Sequence, residues 1–373
     1  MVAQRVCLAS VLREEVVMAR AKSAVILPIR GSKSDAAQAK ASDDLRSESL
    51  PKPIRRDRQL GRVRLVLDEG ESTEVIGIVY GLAHQIRTPS YRLDVFLDHY
   101  NRRLKVLDYQ ASDYRPMVEK LEFLAAANRF DKIWVQARKS DWDTFLQFGF
   151  VLEGLLKHAD RGRTAYMVSK FRSQRRLRSP GLLQETELIE KITKRERRSR
   201  PPAPPEGYTL DFAREGDVEG MLSLYRRVFE TYPAPLTYRE YLLSVLHRDA
   251  IFRVIRCPKG EVVAAASAEL DDRRLSSELT DCATHPDQRG KGLMSVLLHA
   301  LEEDLRRKGY RCAYTLARAP SFGMNAAFHA LGYEYNGRMI NNCDIYGDFE
   351  NMNLWVKNLV PGKRAVPQRP TVA

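Results

Sequence analysis

The stretch Thr284-His-Pro-Asp-Gln-Arg-Gly-Lys-Gly-Leu-Met294 decides how this chain of 373 residues is read. Its core, Arg289-Gly-Lys-Gly-Leu-Met294, is a glycine-broken turn that opens a helix. The first N–H groups of a helix have no partner within it, and the dipole at that end favours negative charge. Gly290 and Gly292 let the backbone approach an oxyanion with no Cβ in between. Arg289 and Lys291 add positive charge. A pyrophosphate suits such a helix end. A plain strand–turn–helix connection with a solvated Arg and Lys would carry the same letters, so the surroundings must decide.

Those surroundings are regular. Leu293, Val296, Leu297, Ala300, Leu301 and Leu305 follow the spacing of an amphipathic helix, closed by Lys308-Gly309. Strands are predicted over 277–284 and 312–317, a short helix over 324–331 ending at Gly332, and strands over 333–340 and 352–358. With no G-x-G-x-x-G and no repeated βαβ unit bearing an acidic ribose ligand, a dinucleotide fold is excluded.

The pattern resembles the GCN5-related N-acetyltransferase superfamily. Its signature is Gln/Arg-x-x-Gly-x-Gly/Ala, on which Arg289, Gly292 and Met294 take the first, fourth and sixth places. Met294 departs from the usual Gly or Ala but keeps its backbone N–H. His285-Pro286 and Asn325-Ala-Ala-Phe-His-Ala-Leu-Gly-Tyr333 also match. A closer likeness is to the bacterial and archaeal β-lysine N-acetyltransferases. It is carried by Thr280-Asp-Cys-Ala-Thr-His-Pro286, Tyr314-Thr-Leu-Ala-Arg-Ala319, Gly323-Met-Asn325, Ile340-Asn-Asn342 and Glu350-Asn-Met-Asn-Leu-Trp355. Phe148-Gly-Phe150 and the 165–171 segment fit the region that precedes the catalytic domain in that family, so the likeness spans about 62–359.

The resemblance implies an α/β (α+β) fold with a mixed central sheet. It implies acetyl-CoA as co-substrate, no metal, and β-lysine as acceptor, acetylated on its side-chain amine to give a compatible solute in osmoadaptation. A lysine aminomutase would supply that acceptor. Self-association, a homodimer included, is left open.

Bulk properties narrow the classes. The net charge is +13 and hydrophobic residues make up 44%. No run reaches the ~18 apolar residues that span a bilayer. Cysteines at 7, 257, 282, 312 and 343 are odd in number and unpaired in spacing, which argues for a reducing cytoplasm. Residues 1–60 and 361–373 are expected to be disordered tails. Ten Lys/Arg against four Glu crowd 172–200, ahead of Pro201-Pro-Ala-Pro-Pro205. This basic, Pro-rich linker (172–206) reads either as a nucleic-acid-binding run or as a helix docked through Leu182, Leu183, Ile189 and Ile192. No aromatic residue interleaves with the arginines, which favours the docked helix.

A first folded unit is expected over 61–171 and the catalytic unit over 207–360. Phe145-Leu-Gln-Phe-Gly-Phe150 aligns with Phe328-His-Ala-Leu-Gly-Tyr333, with Gly149 and Gly332 separated by 183 positions. This points to an internal repeat whose first copy is a degenerate acetyltransferase-like domain. It has Tyr114-Arg-Pro-Met117 where the glycine turn would lie, and is expected to bind no coenzyme A and to act as a helper domain, adding one wall of the substrate pocket or serving association.

Acetyl transfer to an amine requires a held thioester, a deprotonated nitrogen and stabilised developing charge. The resemblance places the coenzyme on Cys282, Ala283, Thr284, Arg289, Gly290, Lys291, Gly292, Leu293, Met294, Asn325 and Phe328. Phe328 stands where many members have the tyrosine general acid, which leaves direct thiolate departure or a donor such as Tyr333 or Tyr335. Glu278 is the first candidate for the base and Asp281 the second. In a regular strand these two would face opposite sides unless a bulge intervenes. Arg318, Asn341, Asn342 and Asp344 are the candidates for holding the acceptor. Two further readings remain: acetylation of another amine (a polyamine or protein lysine), or a non-catalytic, nucleic-acid-associated basic protein.

Overall fold

The computed structural model describes residues 61–77, 79–246, 250–345 and 347–360. The expected tails lie outside these residues. A two-stranded ribbon, β1 (Gly61–Asp68) and β2 (Glu71–Gly77), comes first. The first half continues with β3 (Leu82–Arg87), β4 (Tyr91–Asp98), β5 (Arg103–Ala111), helix α1 (Tyr114–Ala127) and β6 (Lys132–Ala137). Helix α2 (Trp142–Gln147), β7 (Val151–Asp160) and β8 (Arg163–Phe171) complete it. Helices α3 (Gln174–Leu177) and α4 (Leu182–Thr193) cross to the second half.

There β9 (Thr209–Phe212), α5 (Val218–Val228) and α6 (Arg239–Leu246) lead into β10 (Ala250–Arg256), β11 (Val262–Asp271) and β12 (Ser276–Thr284). Then follow α7 (Leu293–Arg307), β13 (Cys312–Arg318), α8 (Phe322–Ala330), β14 (Glu334–Ile345) and β15 (Asp348–Asn358). Among the described residues no helix is long and apolar enough to cross a membrane.

All strands after the ribbon join one mixed sheet in the order β3-β4-β5-β6-β8-β7-β14-β15-β13-β12-β11-β10-β9. Apart from the edge strand β9, this order reads the same from either end. Strand β4 corresponds to β11, β5 to β12, α1 to α7, and β8 to β15. The halves meet where Gly154 of β7 pairs with Gly337 of β14. A Cβ on Gly337 would run into the Glu153 carbonyl and Gly154 Cα, so only glycine permits this close approach.

The α7 stripe behaves as its spacing predicts. Leu293, Val296, Leu297, Leu301 and Leu305 are buried against Ala264, Ala266, Ala268 and Leu279 of the sheet. Each such side chain contributes roughly 1.5–3 kcal/mol through removal from water. Helices α5 and α6 cover the opposite face, on Val254, Ala265 and Ala283. Helix α4 docks through Ile189 and Ile192, with Leu188 packed beside them; Leu182 and Leu183 are exposed. The α4 stripe is therefore narrower than the four apolar positions suggested.

Strand β14 also departs from expectation. It continues to Ile345 instead of ending near residue 340, so Asn341, Asn342 and Asp344 lie within a strand. Strands β3 and β7, which carry weak alternation, complete the first half.

Candidate active site

The site begins where two strands part. Strands β12 and β13 run parallel and pair only from Ser276–Cys312 to Glu278–Tyr314. Beyond Glu278 the inner edge of β12 has no strand partner, while its other edge stays on β11 through Thr284. A V-shaped opening results, and it widens into a cleft of about 1200 Å³.

At the wide end of the V lies the glycine turn. Gly290 and Gly292 have φ of 79° and 74°, the left-handed region that disfavours side chains. Gly292 caps α7 with no side chain bonding the first turn. The leading N–H groups of α7 therefore face the cleft through Leu293, Met294 and Ser295, with exposed Arg289 beside them. A diphosphate group fits this end by charge and by donor geometry. Lys291 is not part of the lining. Its Nζ donates to Tyr208 Oη (2.8 Å) and Gln288 Oε1 (2.7 Å), which braces the turn from outside.

Glu278 and Asp281 both line the cleft. The strand bulges between them: Ala265 pairs with Ala283, but Ser267 pairs with Thr280, and Asp281 has φ of 53°. The extra residue cancels the alternation that would have set the two carboxylates on opposite faces. Asp281 is buried and accepts a hydrogen bond from Ser267 Oγ (2.7 Å), a residue on the Glu269/Glu278 face. Its backbone N–H donates to Tyr232 Oη (3.2 Å).

Glu269 sits opposite Glu278 in the ladder and also lines the cleft. Burial, then the like charge of Glu269, pushes the Glu278 carboxyl up to about 7 against the pull of Lys105 and Arg103. Cys282 lines the cleft too, and burial raises its thiol far above the usual range, so it stays protonated at neutral pH. Ala283 packs under α5 and α6.

Several expected site residues are occupied elsewhere. Asn325 is fully buried with every side-chain site in use. It donates to Arg318 O (2.9 Å) and Ser321 O (2.7 Å), and accepts from Asn353 Nδ2 (2.9 Å) and Trp355 Nε1 (2.7 Å). It orders the β13–α8 loop and has no capacity left for a ligand. Phe328 is a core residue set edge-on to Tyr333. Tyr333 is buried and Tyr335 packs on Trp355, so neither proposed proton donor reaches the cleft.

Arg318 lines the cleft, but both ends of its guanidinium fork are bonded to Glu350 at 2.7 Å. Asn341 ties strand β14 to α3 through Arg176 O (2.8 Å) and Arg178 O (2.7 Å). The Asn342 carbonyl accepts from Arg103 (2.9 Å), and the Asp344 N–H donates to Asn101 Oδ1 (2.9 Å). These three lie at the seam between halves, outside the cleft lining.

The first half supplies the opposite wall, one of the two helper roles expected of it, through residues that no motif singles out. Tyr80, Phe96, Asp98, Asn101, Arg103 and Lys105, all from the first half, line the same cleft. Arg103 pairs with Asp98 at 2.7 Å.

The acetyltransferase (GNAT) family model matches residues 204–333. The Methanosarcina mazei protein named Beta-lysine N(6)-acetyltransferase is 34% identical over 259 residues, 64% of this chain and 95% of that protein. N-acetyltransferase YodP of Bacillus subtilis is 34% identical over 269 residues, covering 70% and 95%. This chain belongs to the GNAT acetyltransferase family. A second protein named Beta-lysine N(6)-acetyltransferase, from Methanococcus maripaludis, is 31% identical over 245 residues, covering 66% and 89%.

As a GNAT enzyme the chain is an N-acetyltransferase with acetyl-CoA as donor. The self-capping N-terminus of α1 marks the contrast between its halves. Asp113 accepts from the Arg115 N–H (3.0 Å) at the place where α7 keeps its N–H groups open.

Proposed function

We propose that the enzyme acetylates the side-chain amine of β-lysine. The observation that carries this reading is a cleft with one acidic wall (Glu269, Glu278, Asp281) beside the open α7 turn. An acceptor with two ammonium groups is drawn to that wall, and the relatives named for β-lysine point to the same acceptor. The product would serve as a cytoplasmic compatible solute, fed by a lysine aminomutase.

When bound, acetyl-CoA supplies an activated acetyl group. The chain's own residues do the rest. The α7 N–H groups and Arg289 hold the diphosphate, and the free edge of β12 from Leu279 to Thr284 aligns the pantetheine arm as a further strand would. Glu278 takes the proton from the acceptor ammonium, directly or through water. Its raised carboxyl suits that exchange near neutral pH. Asp281, fixed by Ser267, turns its side chain toward the second ammonium. Cys282 lines the arm and supplies no charge.

The domain reading follows the same geometry. We infer an acetyltransferase-like unit over 61–171 that has lost its coenzyme site, a linker over 172–206, and a catalytic unit over 207–360. The mirrored strand order and the self-capped α1 support it.

The test is thiol release from acetyl-CoA with β-lysine, α-lysine, spermidine and a lysine peptide in parallel. A kcat/KM for β-lysine at least tenfold above the others is expected. Preference for spermidine or the peptide would replace the acceptor and leave the fold and donor standing.

A further inference from the structure

The acidic wall has a cationic counterpart, and the fold's internal symmetry places it. In β4–β5 the ladder ends at Asp98–Arg103, and Phe96 pairs with Lys105. In β11–β12 it ends at Asp271–Ser276, and Glu269 pairs with Glu278. Both strands then lie parallel to the next: Lys105 beside Trp134 of β6, Glu278 beside Tyr314 of β13. Lys105 is thus the symmetry counterpart of Glu278, and Phe96 that of Glu269. The two halves close on each other, so the counterparts line one cleft.

The cations that the sheet strands bring to this cleft differ in availability. Arg318 is held by Glu350 through its Nε and Nη2. Arg103 is held by Asp98 and the Asn342 carbonyl. The Lys105 ammonium has no hydrogen-bonding partner among the described residues. Its ammonium lies 5.4 Å from the centre of the Trp134 ring, and its stem is partly buried. An ammonium anchored on an aromatic face, with its donors unspent, is suited to a carboxylate.

We propose that Lys105, reaching across from the non-catalytic half, binds the carboxylate of an amino-acid acceptor whose amine is presented to Glu278. This rests on the reading of the acceptor as an amino acid. The first half thereby gains a definite role, since it supplies the one charge the acidic wall lacks for a zwitterion. Diamines without a carboxylate gain nothing from Lys105 and are repelled by it.

The experiment compares wild type, Lys105→Met and Lys105→Arg with β-lysine, α-lysine, their carboxamides and 1,5-diaminopentane. Lys105→Met is expected to raise KM for the amino acids roughly 10–100-fold, with kcat little changed. The carboxamides and the diamine should shift less than about threefold, a window well below the tenfold that corresponds to one charge-assisted bond. Lys105→Arg should recover most of the loss.

Equal losses for acid and amide, or an unchanged KM for the acids, would overturn the proposal. A displaced pH profile common to every acceptor, without an acid-specific KM change, would also overturn it, since Lys105 would then act only on Glu278. Turnover of α-lysine but not β-lysine would remove the β-lysine reading, and the acid–amide comparison on α-lysine would still decide Lys105. Failure to acetylate any carboxylate-bearing amine overturns both.

Discussion

At the residue scale, the proposed base, Glu278, has a charge state with a definite sign. A base must be ionised to accept a proton, so kcat/KM should rise with pH up to about 7 and then level off. Glu278→Gln should lower kcat by on the order of 10²-fold or more and erase that limb. A pH–rate series on both proteins checks this; an unchanged limb would assign it to another group. The same shift has a cost in stability. The folded carboxyl lies above its unfolded value of 4.5, so the folded chain keeps a proton that the unfolded chain releases between about 4.5 and 7. Stability therefore falls as pH rises through that window. Glu278→Gln should be more stable than wild type at pH 8, by on the order of 1–3 kcal/mol, and equal to it at pH 4. Urea titrations at the two pH values measure the difference. Glu278 can be nominated from the sequence because its strand precedes a recognisable turn. Arg318 misleads for a physical reason: a guanidinium's partner is set by tertiary pairing, and Glu350 lies 32 positions away. Lys105 leaves no local sign at all, because its role depends on the register of a strand in the other half.

Elements are more legible than residues wherever periodicity and glycine act together. The α7 stripe is readable because one face of a helix must be apolar to be buried, and the turn before it because glycine adopts φ near +75° without the strain a side chain brings. Strand β14 looks shorter in sequence than it is in the fold because consecutive asparagines favour turns. In the fold Asn341 has φ of 44° and its side chain bonds α3, so tertiary contacts override the local preference. The α7 end also carries a prediction. A β-branched residue at Gly292 is strained in the left-handed region. Gly292→Val should twist the first N–H groups away and raise KM for acetyl-CoA about tenfold, with acceptor KM nearly constant. Isothermal titration with coenzyme A should show the same loss. Unaltered coenzyme affinity would mean that the diphosphate lies elsewhere.

On the scale of the whole molecule, one sheet runs through the seam between the two halves. Lys132 Nζ donates to Glu153 (2.8 Å) and to the Ile340 carbonyl (2.9 Å), and Glu153 in turn accepts the Ile340 N–H (2.6 Å). Both charged side chains are buried, so neither can turn to water if the other is lost. Lys132→Met should therefore cost about 3–5 kcal/mol, because it strands the Glu153 charge. Gly337→Ala should cost on the order of 3 kcal/mol or more by forcing the backbones of β7 and β14 apart. If the seam couples the halves, amides of β6 and β13 in the wild type should exchange with one common opening free energy. In either variant the two strands should separate, because one half can then open without the other. Hydrogen-exchange mass spectrometry resolves this peptide by peptide. Different opening energies already present in the wild type would mean that the halves are independent. Lys105 would then be delivered to the cleft only part of the time, and the acceptor KM would weaken as the seam loosens.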